Sequence, residues 1–358
     1  MALAPFPDPG SGFSFGQRTA RPTASASPKP TPKPPEIVFA KPPGAKQTAR
    51  YLNVSFTADV KLTKASGVLT PDPGFPCEVK LDPAGTTGSF NCNGLLPGSV
   101  DHIFKMSLES GEATHEISYP FRTMGNRLEG VRWFTEFEVE GKDPLACAAA
   151  SIRIIQNFTG SDQMTAEQIL ASGIPLNRSK DPGLDPVAIA AVLKRLNPAN
   201  NYHYYNFASK EEATEAGVYW LLRSGKPVVM ITLAGQHAPV LIGYGGKYGT
   251  HFGDLNNALS GVVMQDPQRG DMNEWTRRFR PDKYRSPEFQ TGKLLEWDEW
   301  YGDEWWFRFS YTSSLGGVNI DRNDGAYPQP HWAGKFVIIV DDGDAANPSD
   351  RMGRVVFR

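Results

Sequence analysis

The chain has 358 residues and a formal net charge of −2 at neutral pH. This length allows two or three domains, each with a sizeable core. The near-neutral charge argues against a protein that binds nucleic acids or anionic membranes through a basic surface. No apolar run is long enough to cross a bilayer, so we expect no membrane span. Charged residues make up only 21% of a chain with 35 glycines and 30 prolines, which favours a loop-rich protein containing β-sheets.

Residues 1–45 are predicted to form a disordered arm. They are largely Pro, Ser, Thr, Ala and Lys, and the extreme case is Ser-Pro-Lys-Pro-Thr-Pro-Lys-Pro-Pro at 27–35. Such a tract buries too little apolar surface to offset its ordering entropy, and we interpret it as a linker. Its start lacks the basic residues and the apolar core of a secretory signal. This leaves three alternatives open: a signal that has been removed, another export route, or no export.

Residues 46–125 are predicted to form a small all-β sandwich of the fibronectin or immunoglobulin type. Alternating apolar runs recur there with turn residues between them; the runs lie at 51–62, 77–81, 102–108 and 115–121. Period-two alternation with regular turns is typical of an antiparallel sandwich. The segment 94–106 resembles the part of fibronectin type III-like modules that leads into a late core strand, and the resemblance implies only the fold. We interpret this module as a spacer or binding unit without chemistry.

Residues 126–358 are predicted to form an α+β domain. Helical patterns come first and strand patterns follow; we expect a lead-in strand at 132–139, helices at 143–160, 166–171, 185–195 and 211–224, two strands within 226–245, and strands at 262–266 and 335–340. An insert at about 271–331 interrupts the domain with basic and Trp-rich acidic segments. It could form a substrate cleft or a partner surface, but we favour a core of its own.

Cys147 stands in the first turn of the first predicted helix. Asp143 is expected to be the N-cap and Pro144 the first helical residue. Unpaired N–H groups and the helix dipole favour negative charge at that end, and the thiolate is the nucleophilic form of cysteine. The alternative is a small buried cysteine on a core helix.

The other two cysteines, Cys77 and Cys92, lie close together in the chain. A disulfide between them would leave Cys147 as the one free thiol, as a secreted thiol enzyme requires. Two unpaired thiols in a cytosolic protein are the alternative, and the sequence leaves both open. We predict that the protein is secreted or extracytoplasmic.

Cys147, His237 and Asp266 together match the needs of a nucleophilic thiol. The thiol needs a base within hydrogen-bond reach, and the base needs a third group that holds its tautomer. His237 begins one predicted strand and Asp266 ends the next. His331, which precedes the strand at 335–340, is the rival for the base. His203 and His251 have polar, loop-like neighbours, and we expect them to be solvated.

Four segments resemble a known family; they are Leu-Ala-Cys-Ala-Ala-Ala-Ser-Ile at 145–152, Gly-Lys-Pro-Val-Val-Met-Ile at 225–231, Gln-His-Ala-Pro-Val-Leu-Ile-Gly-Tyr at 236–244 and Val-Met-Gln-Asp-Pro at 263–267. In this order they are similar to a papain-like domain, in particular to that of the bacteriocin-leader-processing (double-glycine) cysteine peptidases. The resemblance implies that Cys147 is the nucleophile, His237 the base and Asp266 the residue that orients it. It also implies a papain-like fold for the domain.

One departure from that family concerns the oxyanion. The family places a Gln about six residues before the cysteine as a side-chain donor, whereas residues 140–146 contain none. We consider Lys142 as the donor that could replace this Gln at the oxyanion. Losing one such donor typically lowers the rate by about 10²–10³.

We therefore predict a cysteine hydrolase, a peptidase with a thioester acyl-enzyme and a peptide or protein substrate. A peptidoglycan amidohydrolase acting on stem peptides with the same triad is one alternative. A catalytically weak scaffold that binds a partner protein is the other. No cofactor is expected, and no metal site, because the sequence has no His or Cys pair at metal-ligand spacing.

Overall fold

The computed structural model describes twelve stretches of the chain. They are residues 35–39, 49–111, 113–136, 146–160, 164–178, 183–207, 209–232, 237–267 and 336–343 with their side chains, and the short strands at 294–296, 312–315 and 318–321 by their backbone. Most of the predicted arm and most of the predicted insert lie outside the described residues. No helix in the described part of the chain is both long enough and apolar enough to span a membrane.

The first seven strands form two antiparallel sheets. Their bounds are β1 Ile37–Phe39, β2 Tyr51–Ala58, β3 Lys64–Thr70, β4 Cys77–Leu81, β5 Thr87–Leu95, β6 Asp101–Ser110 and β7 Ala113–Arg122. One sheet has the order β1-β2-β5-β4 and the other the order β3-β6-β7. Side chains from both sheets share one core, which includes Phe56, Phe90 and Phe104. β1 falls in the stretch predicted to be a disordered arm and pairs with β2.

A third sheet, with six strands, follows. Its strands among the described residues are β8 Tyr202–Phe207, β9 Val228–Ile231, β10 Val240–Lys247, β11 Ala258–Gln265, β12 Leu294–Glu296 and β15 Phe336–Asp341, and a separate hairpin is formed by β13 Thr312–Leu315 and β14 Val318–Asp321. The order is β12-β11-β10-β9-β15-β8, and every pairing is antiparallel. β15, the last of the described strands along the chain, thus lies inside the sheet between β9 and β8.

The four α-helices of the described residues cover the two faces of this sheet. They are α1 Cys147–Thr159, α2 Ala166–Gly173, α3 Pro186–Leu196 and α4 Lys210–Ser224. Alternate strand residues such as Val229 and Ile339 share a core with α1, α2 and α3. Their neighbours, such as Val228 and Ile338, share a second core with α4. The central strands are therefore buried on both sides.

The predicted helix ends are confirmed at three places. Asp185 is the N-cap of α3, where its carboxylate accepts a 2.9 Å hydrogen bond from the N–H of Ala188. Gly160 ends α1 and Gly225 ends α4, with φ values of 68° and 66°. Both glycines adopt the left-handed conformation that a side chain would oppose.

The start of α1 differs from the prediction. The helix begins at Cys147, with Ala146 as an N-cap that contributes no side-chain hydrogen bond, so a cap at Asp143 is wrong. The lead-in strand predicted at 132–139 is also wrong for its described part, because residues 131–135 have no regular structure. The segment is held instead by hydrogen bonds to the end of β11, described below.

The predicted fold class, an α+β papain-like domain with helices first and an antiparallel sheet after them, is wrong. The described chain is mostly β, and seven strands precede the first helix. No helical domain stands ahead of the sheet in the described residues, since β8 lies between α3 and α4 and pairs with β15. The side chains of β8, Tyr-His-Tyr-Tyr-Asn-Phe, do not alternate between buried and exposed positions: four are buried and two are half-buried, in an irregular order.

The sandwich and the six-stranded sheet are joined by buried polar contacts. Arg50, which is 6% exposed, donates from Nε to the carbonyl oxygen of Leu96 (2.5 Å) and from Nη1 to the hydroxyl of Tyr244 in β10 (3.0 Å). The N–H of Leu95 donates to the carbonyl of Thr250 at 2.9 Å. The start of β2 and the end of β5 are thereby fixed to the β10–β11 hairpin.

Candidate active site

A buried histidine–aspartate pair lies at one end of the six-stranded sheet. Nε2 of His237 is 2.7 Å from Oδ1 of Asp266, and the two residues are 1% and 2% exposed. An aspartate on one ring nitrogen holds the imidazole in a single tautomer, with that nitrogen as donor. The other ring nitrogen, Nδ1, is buried and has no hydrogen-bond partner among the described residues.

The sheet explains why these two residues meet. His237 lies just before β10 and forms a bridge with Thr232, in which each N–H donates to the other's carbonyl, at 2.7 and 3.2 Å. Asp266 directly follows β11. Because Val240 of β10 is paired with Gln265 of β11, the start of one strand and the end of the other coincide.

Cys147 approaches this pair from the first turn of α1. It is 7% exposed, and its Sγ lies within 4.8 Å of a ring nitrogen of His237. Since Nε2 is bonded to Asp266, Nδ1 is the nitrogen left for the thiol. Catalytic hydrogen bonds are often longer in ligand-free structures and tighten with substrate.

One further contact ties the cysteine helix to the histidine strand. The hydroxyl of Ser151, one turn after Cys147, donates a hydrogen bond to the carbonyl oxygen of Ala238, the residue after His237. Ser151 is fully buried. The first turn of α1 and the start of β10 are therefore held together beside the reacting groups.

Glu136 is the fourth residue at this centre, and the sequence did not predict it. It is 1% exposed, and a carboxylate oxygen lies within 4.8 Å of the ligand-type atoms of both Cys147 and His237. Its segment is fixed to the end of β11, because Trp133 Nε1 donates to the carbonyl of Asp266 at 2.8 Å and the N–H of Glu136 donates to that of Pro267 at 3.1 Å. The one sequence signal was an acid within an aromatic run upstream of the cysteine.

The charges at the centre constrain its chemistry. Three acidic groups, those of Glu136, Cys147 and Asp266, surround a single imidazole, and all are buried. An ionised carboxylate accepts hydrogen bonds and cannot donate one to an oxyanion. The amides of the first turn of α1 can donate, because the helix has no side-chain cap there. The arrangement can thus activate a thiol, or it can hold a cation.

The structure describes some of the remaining residues that the sequence singled out, and others lie outside it. Cys77 and Cys92 form a disulfide, so Cys147 is the chain's one free cysteine. Lys142 and the rival base His331 lie outside the described residues. His203, expected to be solvated in a loop, lies in β8 with Nδ1 at 3.0 Å from the carboxylate of Asp342, so that expectation is wrong.

Neither a protein-family model nor a curated protein matches this chain. The resemblance to the bacteriocin-leader-processing peptidases therefore stays a prediction. Function has to be inferred from the chemistry of the residues at the centre.

Proposed function

We propose that the protein is a cysteine hydrolase that cleaves peptide bonds through a thioester intermediate. The observation that carries the proposal is the buried 2.7 Å pair of His237 and Asp266 with the thiol of Cys147 beside it. A thiol, a base and an orienting acid in this arrangement are the minimum for nucleophilic catalysis.

The proposed reaction has two steps. The thiol of Cys147 gives its proton to Nδ1 of His237, and the sulfur attacks the carbonyl carbon of the substrate. The tetrahedral adduct then expels the amine, which takes the proton from His237. A water molecule, deprotonated by His237, attacks the thioester; the second adduct expels the sulfur of Cys147, which takes the proton back from His237, and the carboxylic acid leaves. Asp266 stays ionised and stabilises the imidazolium that forms in each step.

The oxyanion of the adduct needs donors that Glu136 cannot supply as a carboxylate. The first-turn amides of α1 are suitable, since the hydrogen bonds of the helix itself do not use them and they lie at its positive end. A substrate carbonyl on the Cys147 side of the helix end would meet them. An ionised Glu136 beside the thiol would oppose the charge of the oxyanion and lower the rate.

Thiol labelling tests the proposal directly. Since Cys147 is the chain's one free cysteine, iodoacetamide reports on it alone. We expect labelling at pH 7 to be at least about tenfold faster than that of glutathione, and to fall to the glutathione rate or below in His237→Ala. His203→Ala removes a half-buried histidine from another His–Asp pair and serves as the control. Labelling no faster than glutathione in the parent chain would refute the proposal.

Peptidoglycan stem peptides are the second candidate substrate. The disulfide favours an oxidising, extracytoplasmic location, and a β-sandwich fixed to the β10–β11 hairpin could hold a polymeric substrate. Hydrolysis of a denatured protein and of purified peptidoglycan should be compared, with Cys147→Ala as the inactive control. Release of stem peptides without proteolysis would favour the amidohydrolase.

Partner binding without turnover is the third candidate. Two observations favour it: Cys147 is only 7% exposed, and Glu136 stands beside the thiol where an oxyanion donor would be needed. In that case Cys147→Ala would leave both hydrolysis assays unchanged at background, and the thiol would label slowly. Rapid, His237-dependent labelling excludes this candidate.

A further inference from the structure

We propose that Glu136, Cys147 and His237 form a binding site for one zinc-class divalent cation. Their ligand-type atoms, a carboxylate oxygen, a sulfur and an imidazole nitrogen, all lie within 4.8 Å of one another. Sulfur, nitrogen and oxygen ligands of these types are the ones that Zn²⁺ takes, and three protein ligands with an open fourth position are typical of non-structural zinc sites.

The buried imidazole is the observation that points to a ligand. His237 is 1% exposed, and its Nδ1 has no hydrogen-bond partner among the described residues. A buried polar atom normally has one. A cation bound to Nδ1 would use the lone pair that the tautomer fixed by Asp266 leaves available.

Asp266 completes the arrangement from behind the ligand. Metal-binding histidines usually donate their second ring N–H to a carboxylate, which fixes the ring and increases its basicity. The 2.7 Å contact between Nε2 of His237 and Oδ1 of Asp266 has this geometry. The orienting acid of a catalytic triad and the outer partner of a metal-bound histidine are the same group here.

Charge and distance agree with a dication. Carboxylate and thiolate ligands bring two negative charges into a buried centre, which a divalent cation would offset. Zn–S bonds of about 2.3 Å and Zn–N or Zn–O bonds of about 2.0–2.2 Å place tetrahedral ligand atoms roughly 3.4–3.6 Å apart. The upper limit of 4.8 Å on the present separations exceeds these values by at most about 1.4 Å, which small rotations of the side chains can close.

A bound cation would occupy the sulfur and Nδ1 that hydrolysis needs. The regulatory consequence rests on the proposed function: the metal-bound chain would be inactive, and removal of the cation would release the nucleophile. Binding itself does not depend on any hydrolytic activity.

Metal titration of the full chain tests the site. Protein freed of metal with a chelator is titrated with Co²⁺, whose thiolate complexes show a sulfur-to-metal charge-transfer band, and Zn²⁺ is then added as competitor. We expect one Co²⁺ per chain, the charge-transfer band, and full displacement by Zn²⁺. Absence of saturable binding at micromolar Co²⁺ and Zn²⁺ would overturn the proposal.

Variants assign the ligands. Cys147→Ala should abolish the band, and Glu136→Gln should weaken Zn²⁺ binding at least tenfold. Asp266→Asn should weaken it about 10–100-fold, while His203→Ala should leave it unchanged. Parent-like affinity in Glu136→Gln would overturn the three-ligand site.

A measurement on the parent chain covers the case in which a variant fails to fold. Zn²⁺ should protect Cys147 from iodoacetamide, and a chelator should restore labelling. Fast, His237-dependent labelling that Zn²⁺ does not slow would overturn the metal site and leave the hydrolase intact. Slow labelling of a metal-free chain that still binds one Zn²⁺ would refute the hydrolase and support the metal site.

Discussion

The β-sandwich and the six-stranded sheet bury their strands in different ways. In the sandwich, strands such as β6 alternate along most of their length, with Phe104 buried and Lys105 exposed. In the larger sheet, β9 and β15 are buried at every position, because helices or other chain segments cover both faces. The sandwich can be recognised from local pattern, whereas the sheet that carries the candidate site depends on packing between distant segments.

The difference also affects how each region is held together. β4 and β5 are joined by the Cys77–Cys92 disulfide between directly paired residues. The six-stranded sheet contains no disulfide, and β15 enters it from near the end of the chain to pair with β9 and β8. Its stability should therefore depend more on core packing.

The largest expected effect comes from truncating adjacent residues in the two regions. Ile338→Ala and Ile339→Ala should each lower the free energy of unfolding by about 2–5 kcal/mol, because the side chains fill cores on opposite faces. In β6, Phe104→Ala should cost about 3–5 kcal/mol and Lys105→Ala little. Urea unfolding followed by fluorescence measures all four. If the two isoleucine variants lost very different amounts of unfolding free energy, the two faces of the six-stranded sheet would not be equally well packed.

Arg50 tests the connection between the regions. Arg50→Met should lower the free energy of unfolding by about 2–4 kcal/mol, because it removes two buried hydrogen bonds from a charged donor. Arg122→Met is the control, since its ion pair with Asp101 is exposed and should contribute little. If both variants lost the same free energy of unfolding in denaturant, the buried contacts of Arg50 would contribute no more than an exposed ion pair.

The disulfide should matter for stability and not for the site. The double variant Cys77→Ala, Cys92→Ala should lose about 2–3 kcal/mol, as expected for a loop of this length. The iodoacetamide labelling rate of Cys147, measured under native conditions, should stay as in the parent. A labelling rate that changed more than about threefold would show that the two regions are coupled.

The smallest expected effect is a pH dependence in the sandwich. Burial lowers the pKa of His102 in β6 from its ordinary value of 6.5, because the imidazolium is disfavoured where the ring stacks on Phe121. The unfolded chain then binds more protons, so stability falls as the pH drops below about 6.5. His102→Phe keeps the ring stacking and should reduce this loss between pH 7 and pH 5, as thermal unfolding would measure. An unchanged pH dependence in the variant would contradict the assignment.

The sequence was informative where the signal was local. Gly160 and Gly225 ended their helices as predicted, and Asp185 capped α3, because each acts on residues within one turn. His237 and Asp266 could be paired because they flank two strands that are neighbours both in the chain and in the sheet.

The sequence was uninformative where the cause is long-range. β8 has no alternation, and what makes it a strand is its pairing with β15 more than a hundred residues later. Glu136 entered the site because Trp133 and its own N–H bind the end of β11, a contact that no motif around Glu136 specifies. The fold class was wrong for the same reason: the order of helix and strand patterns does not say which strands join a sheet.

The pairing of Cys77 with Cys92 has a consequence for redox damage. Peroxide would convert the thiol of Cys147 to a sulfenic acid, and the usual intramolecular repair needs a second thiol in the same chain. Both other cysteines are already consumed by their own bond. Recovery must then depend on small-molecule thiols from outside, and in their absence oxidation would proceed to the irreversible sulfinic and sulfonic acids.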